Sequence, residues 1–154
     1  MESLGPRAAR IRKVDDIAEE LPQRAATLAR LFLTRTSLGI SRTEAGVLRA
    51  VSAEPQRITD LAAGEGVTQP AITLLVNRLE QRGWVTRATD RADRRAVLVT
   101  LTALGRDVFD RMRAEYRALL HEEMATLGDE DVETLARAID VLDELIARLQ
   151  ERDA

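Results

Sequence analysis

The chain has 154 residues, enough for one compact domain with a sizeable core and too few for two full ones. Its 45% hydrophobic and 32% charged residues are ordinary for a folded protein, and no run approaches the roughly 18 apolar residues of a membrane span. The absence of cysteine excludes a disulfide scaffold and a thiol switch, and the net charge of −3 argues at face value against a polyanionic partner.

Residues 1–14 read as a loosely held arm; Arg7, Arg10 and Arg12 lead into Asp15 and Asp16, not into an apolar leader, which suits a cytoplasmic protein. A first helix is predicted from about Asp15 to Thr36, with Ile17, Leu21, Leu28, Phe32 and Thr36 near one face and Pro22 kinking or restarting it. Ser41-Arg42-Thr43-Glu44 has the form of a capping box and opens a second helix to about Ala53. A short extended piece at Arg57-Ile58 follows, then a third helix capped by Thr59 and closed by Gly64-Glu65-Gly66. Thr68 caps a fourth helix with Pro70 in its first turn, an apolar stripe of Ile72, Leu75, Val76 and Leu79, and a stop at Gly83.

Trp84 to Arg87 then reads as a strand, and Val97 to Leu101 as a second, with Val97, Val99 and Leu101 on its buried side. The polar run between them forms the tip of a hairpin. Thr102 caps a long helix to about Leu127, with Leu104, Val108, Met112, Tyr116, Leu119 or Leu120, and Met124 inward. Asp129 caps the last helix, where Val132/Ile139/Ile146 and Leu135/Leu142/Leu149 form two seven-residue series. So narrow a seam calls for another helix: the long helix of the same chain or, the reading favoured here, a partner subunit. The predicted fold is mainly α with a small β-wing, in the order α-α-β-α-α-β-β-α-α. It divides into an arm and first dimerisation helix (1–39), a winged helix-turn-helix lobe (40–102) and C-terminal dimerisation helices (103–154).

The charge is unevenly spread. Residues 103–154 carry seven basic and fourteen acidic side chains, whereas residues 40–102 carry nine and seven. Within 82–95, Arg82, Arg87, Arg91, Arg94 and Arg95 face only Asp90 and Asp93. A helix-turn-helix over 59–83 can lay its second helix in the DNA major groove. Its open face then holds Gln69, Ala71, Thr73, Leu74, Asn77 and Arg78: amides suit adenine, and Ala or Leu suits a thymine methyl. Thr68, with Pro70 beside it at the helix N-terminus, can hold a phosphate. Three guanidinium groups at the hairpin tip, Arg91, Arg94 and Arg95, can reach the minor groove, with Asp93 orienting Arg95.

Ile58 to Ala62, Val67 to Val85, Asp93-Arg94-Arg95-Ala96 and Leu101-Thr102-Ala103-Leu104-Gly105 together resemble the multiple-antibiotic-resistance regulator (MarR) family of bacterial transcription factors. The resemblance implies a homodimer that binds a pseudo-palindromic double-stranded DNA site, the position of Arg95 entering the minor groove while braced by that of Asp93. It also implies a repressor released by a small phenolic or anionic aromatic effector. In this chain Phe32, Arg35, Thr36 and Tyr116 are the residues such a pocket would use, and ordinary core and surface roles account for them equally. Leu74 and Ala92 depart from the family, many of whose members carry arginine at these positions, so a guanine contact and a wing contact are put in doubt. The absence of cysteine excludes the family's thiol-oxidation branch.

Other chemistries find little support. His121, the single histidine, has only Glu122 and Glu123 beside it, which is no converging metal-ligand set. No nucleophile–base pair, phosphate loop or dinucleotide fingerprint occurs, so neither an enzyme nor a cofactor is expected. Trp84 is expected to pack between wing and helix. A winged-helix module that docks proteins and never touches DNA is the competing reading; the acidic final third favours it, and the arginine-tipped wing opposes it.

Overall fold

The computed structural model describes residues 6–89 and 97–152. Six helices and three strands follow one another as α1 (Pro6–Arg35), α2 (Arg42–Ala53), β1 (Gln56–Arg57), α3 (Ile58–Glu65), α4 (Gln69–Gln81), β2 (Val85–Thr89), β3 (Val97–Leu101), α5 (Ala103–Met124) and α6 (Asp129–Arg152). This is the predicted order of elements. Residues up to Arg113 form one packed unit and residues from Ala114 onward a second.

The first helix differs from expectation at its start. α1 begins at Pro6, so residues 6–14, read as an arm, are helical, and Pro22 lies inside an unbroken helix. Proline at position one is preorganised for the helical φ, and the alanine- and arginine-rich stretch behind it propagates well. Pro22 removes one backbone donor from a 30-residue helix, which the rest of the ladder tolerates. Ile11, Val14, Ile17, Leu28 and Leu31 along α1 are all exposed.

α2 opens as its sequence dictates. The Glu44 amide donates to Ser41 Oγ at 3.3 Å, and the Ser41 amide donates to Glu44 Oε2 at 2.8 Å. The strands form one antiparallel sheet in the order β1-β3-β2, with Gln56 opposite Val99 and Arg87 opposite Val99 from the other side. Val99 is thus central and fully buried, whereas Val97, predicted to share its face, stays exposed opposite Thr89 in the last pair of the ladder before residues 90–96. The core joins Val47, Leu48 and Val51 of α2 to Leu61 of α3, to Ile72, Leu75, Val76 and Leu79 of α4, and to Val85 and Val99. Each such side chain contributes roughly 1.5–3 kcal/mol by burial, and together they hold α4 by one face.

Val108, Phe109 and Met112 of α5 are also buried, while Leu104, predicted inward, is 52% exposed. Gly105 takes the inward place instead, against the Trp84 carbonyl, which rotates Leu104 outward. Farther along α5, Leu119 is partly covered and Leu120 exposed. α6 begins at Asp129 and its amides at Asp131 and Val132 bond to the Gly128 carbonyl, so Gly128 and not Asp129 holds the capping position. Its first turn carries Asp129, Glu130 and Asp131, favourable against the helix dipole. No α6 residue is buried, and of the two seven-residue series only Leu142 is even half-covered.

Candidate nucleic-acid interface

Two helices and a tight turn build the centre of the site. α3 ends where Gly66 adopts a left-handed φ of 64°, and the Gly66 and Val67 amides turn back to the carbonyls of Ala63 and Ala62, each at 3.1 Å. Only a residue without a Cβ takes that backbone at no steric cost. The predicted cap of α3 shifts by two residues. Arg57 is the capping position, because pairing of β1 with β3 keeps it extended, and Thr59 lies within the helix, its hydroxyl donating to Asp60 Oδ1.

α4 starts after Thr68, which occupies the capping position without making a side-chain capping bond. Pro70 has no amide to cap, so the Ala71 amide is left open at the positive end of the helix dipole, an arrangement that favours an anion. The stripe of Ile72, Leu75, Val76 and Leu79 is buried. Helical spacing therefore turns two adjacent rows outward, Gln69/Thr73/Asn77 and Pro70/Leu74/Arg78. Thr68, Gln69, Pro70, Ala71, Leu74 and Arg78 are exposed, and Thr73 and Asn77 half-buried. The Thr73 hydroxyl is committed to its own helix, donating to the Gln69 carbonyl at 2.8 Å. Leu74, 65% exposed, is the most exposed of the large hydrophobic residues described. The structure thus gathers the predicted α4 residues on one open face.

The two described arginines of the basic stripe at 82–95 are less available than the sequence suggests. Arg82 pairs with Glu44 at 3.4 Å, across 38 residues, and its guanidinium lies 4.8 Å from the centre of the Trp84 ring. Among the described residues Glu44, 6% exposed, is the buried charged residue, and it serves the α2 cap and the Arg82 pair together. Arg87 is spent on α4, donating to Glu80 Oε2 at 3.2 Å and to the Thr73 carbonyl at 3.3 Å. Arg91, Ala92, Asp93, Arg94 and Arg95 lie outside the described residues.

The root of the wing is locked by the Leu-Thr-x-x-Gly stretch. The Thr102 amide donates to the Trp84 carbonyl at 3.0 Å, its hydroxyl donates to the Gly83 carbonyl at 2.6 Å, and the same hydroxyl accepts from the Gly105 amide at 3.0 Å. One threonine therefore caps α5 and ties both ends of the hairpin. Gly83, at φ 72°, makes the reversal from α4 into the hairpin, and a Cβ on Gly105 would overlap the Trp84 carbonyl. Arg106 completes the join by donating both terminal nitrogens to the Ser52 carbonyl near the end of α2, each at 3.2 Å.

Of the residues suggested for an effector, Phe32 and Thr36 are half-buried near the end of α1, Arg35 is exposed beside them, and Tyr116 belongs to the second unit. The Thr36 hydroxyl donates to the Leu33 carbonyl. Burial, and secondarily the neighbouring Glu115 carboxylate, pushes the Tyr116 phenol above its ordinary pKa of 10.0, so it is a neutral hydroxyl at physiological pH. A cleft of about 690 Å³ along α1 is lined by Asp16, Glu19, Glu20, Leu28 and Leu31 among others, and by none of these four. Its carboxylates disfavour an anionic ligand. Among the described residues no cluster of three or more metal-ligating side chains occurs, and no helix is long and apolar enough to cross a membrane.

Comparison with known proteins follows the same lines. The model of the MarR family matches residues 38–96, from the approach to α2 to the residue before β3. The chain is similar to the transcriptional regulator BldR from Sulfolobus solfataricus, with 28% identity, 94% of this chain and 99% of that one covered, and a TM-score of 0.63. It is similar to wild-type MarR, apo form, from E. coli at 25% identity over 92% of this chain and 98% of that one, with a TM-score of 0.65. A MarR family protein from Bacillus stearothermophilus, 21% identical, shares the fold with a TM-score of 0.71 over 88% of this chain and 96% of that one.

Proposed function

We propose that this chain is a regulator of the MarR family, a homodimeric repressor in the cytoplasm that reads a pseudo-palindromic DNA site and releases it on binding a small aromatic effector. The observation that carries the DNA-reading part is the open face of α4: a helix buried by one stripe presents Gln69, Leu74, Asn77 and Arg78 beside an uncapped N-terminus. Amides and an apolar side chain on one helix face match what base edges in the major groove offer, and the Arg78 guanidinium beside them suits a backbone phosphate. Arg95, with Arg91 and Arg94 and with Asp93 as orienter, enters the adjacent minor groove. Residues 1–39 and 103–154 supply the dimer helices. The exposed apolar positions of α1 and of α6, Val132, Leu135, Ile139, Ile146 and Leu149 among them, support this, since an apolar row of that length gains by burial against a second copy.

A gel shift with the promoter region beside the chain's own gene, at stated salt, tests the function. Retardation is expected, and Arg95→Ala should weaken it by about 1–3 kcal/mol. Failure of the purified dimer to retard that DNA at low salt would favour a protein-docking module. The effector part is tested by a thermal-shift screen of phenolic and aromatic acids, because a ligand of the native state raises the melting temperature.

A further inference from the structure

We infer that Arg87 is a positioning residue: it sets the spacing between the wing strand and the reading helix and does not itself touch DNA. The inference rests on the DNA-reading function proposed above. Arg87 stands on β2, opposite Val99 in the sheet, yet both acceptors of its guanidinium belong to α4. One arm reaches the Glu80 carboxylate at 3.2 Å and the other the Thr73 carbonyl at 3.3 Å, two turns earlier on the same helix. Thr73 in turn donates to the Gln69 carbonyl at 2.8 Å. A hydrogen-bonded route therefore runs from the wing strand to the first turn of α4, where the candidate base contacts begin.

The chemistry of the pair argues the same way. An arginine that grips phosphate is exposed and unpaired, as Arg78 is among the described residues. The Arg87 side chain is 26% exposed, with its charge matched by Glu80. Neutralised in this way it offers a polyanion little, whereas its planar fork is suited to bridging two acceptors at fixed separation, a task lysine cannot perform. A wing whose distance from α4 is set before DNA arrives can meet the minor groove while α4 meets the major groove. A wing without that brace must be ordered at the moment of binding.

The test uses the full-length protein and two duplexes, one enriched from a random library by the wild type and one of random sequence and equal length. Arg87→Gln should weaken binding to the selected duplex about tenfold and leave the random duplex nearly unchanged, with the slope of log K against log salt unaltered. Glu80→Gln should also weaken selective binding, although removing a carboxylate favours DNA on charge alone. The double Glu80→Gln/Arg87→Gln variant keeps the wild-type net charge and should match Arg87→Gln. Arg87→Lys keeps one arm and should fall between; it also serves if the glutamine variant folds poorly.

Three results would overturn the inference. A fall in salt slope of about one on both duplexes, with tighter binding by Glu80→Gln, would make Arg87 a phosphate contact. Equal loss on both duplexes would mean only a lower folded fraction. Restored affinity in the double variant would reduce the pair to charge balance. If the wild type enriches no sequence, the DNA-reading function itself fails and this inference falls with it.

Discussion

Two helical glycines offer a controlled test of the lock at the wing's root. Alanine in place of glycine in a helix gains about 0.5–1 kcal/mol through reduced chain entropy. At Gly64, in the last turn of α3, an added Cβ meets nothing within 4 Å, so Gly64→Ala should realise that gain. At Gly105 the Cβ overlaps the Trp84 carbonyl and presses on Leu101 Cδ1. The carbonyl cannot simply withdraw, because it accepts the Thr102 amide at 3.0 Å and lies one residue from the 2.6 Å bond between Thr102 and Gly83. Overpacking against backbone costs about 1–3 kcal/mol, and weakening one of these bonds adds about 1 kcal/mol. Against the entropic gain, Gly105→Ala should therefore destabilise by about 1–3 kcal/mol net, lowering Tm by about 2–4 °C for each kcal/mol in a chain of this size. Urea unfolding of both variants at one fixed protein concentration measures the difference, since the apparent stability of any self-associating protein depends on concentration. Gly105→Ala unfolding at or above the wild-type midpoint would refute the steric reasoning.

Arg78→Ala should weaken DNA binding on all sequences alike and reduce the salt slope by about one, read from titrations at several salt concentrations. If Leu74 packs on a thymine methyl, replacing that thymine by uracil should cost the wild type about 0.8 kcal/mol and cost Leu74→Ala less; equal losses would remove the contact. Ile139→Asp combined with Ile146→Asp, on α6 positions 58% and 50% exposed, should yield folded monomers in analytical ultracentrifugation. A dimer that survives both aspartates would place the subunit interface elsewhere.

Local chemistry was the part of this fold most open to reading. The Ser41/Glu44 box, Gly83 as a stop and Val99 at the strand centre each depend on residues within a few positions, and each is where the pattern puts it. The start of α1 was hidden because an alternation of arginine and alanine suits an arm and a helix equally, and only the unbroken ladder decides. Thr59 satisfied the cap preference, but pairing of Arg57 with Leu98 in β3 moved the boundary, a tertiary fact no local window holds. Phe109 sits one position around α5 from the Leu104/Val108/Met112 stripe and was passed over for that reason; it is buried and Leu104 is not. The open face of α4 was legible because its buried stripe is. The commitments of Arg82 and Arg87 were not: their partners, Glu44 and the Glu80/Thr73 pair, lie across a turn or a helix from the arginines they engage.

Glu44 carries a consequence for how sequences of this kind can drift. One carboxylate closes the α2 cap through Ser41 and receives Arg82 from the far end of α4. Position 44 therefore fills both roles together only as glutamate. A glutamine there would keep the cap and release the arginine, opening position 82 to neutral residues and leaving Trp84 to find another neighbour. Positions 41, 44 and 82 should consequently vary together among relatives of this chain. A single exchange at 44 is then a step that natural histories reach only after 82 has already moved.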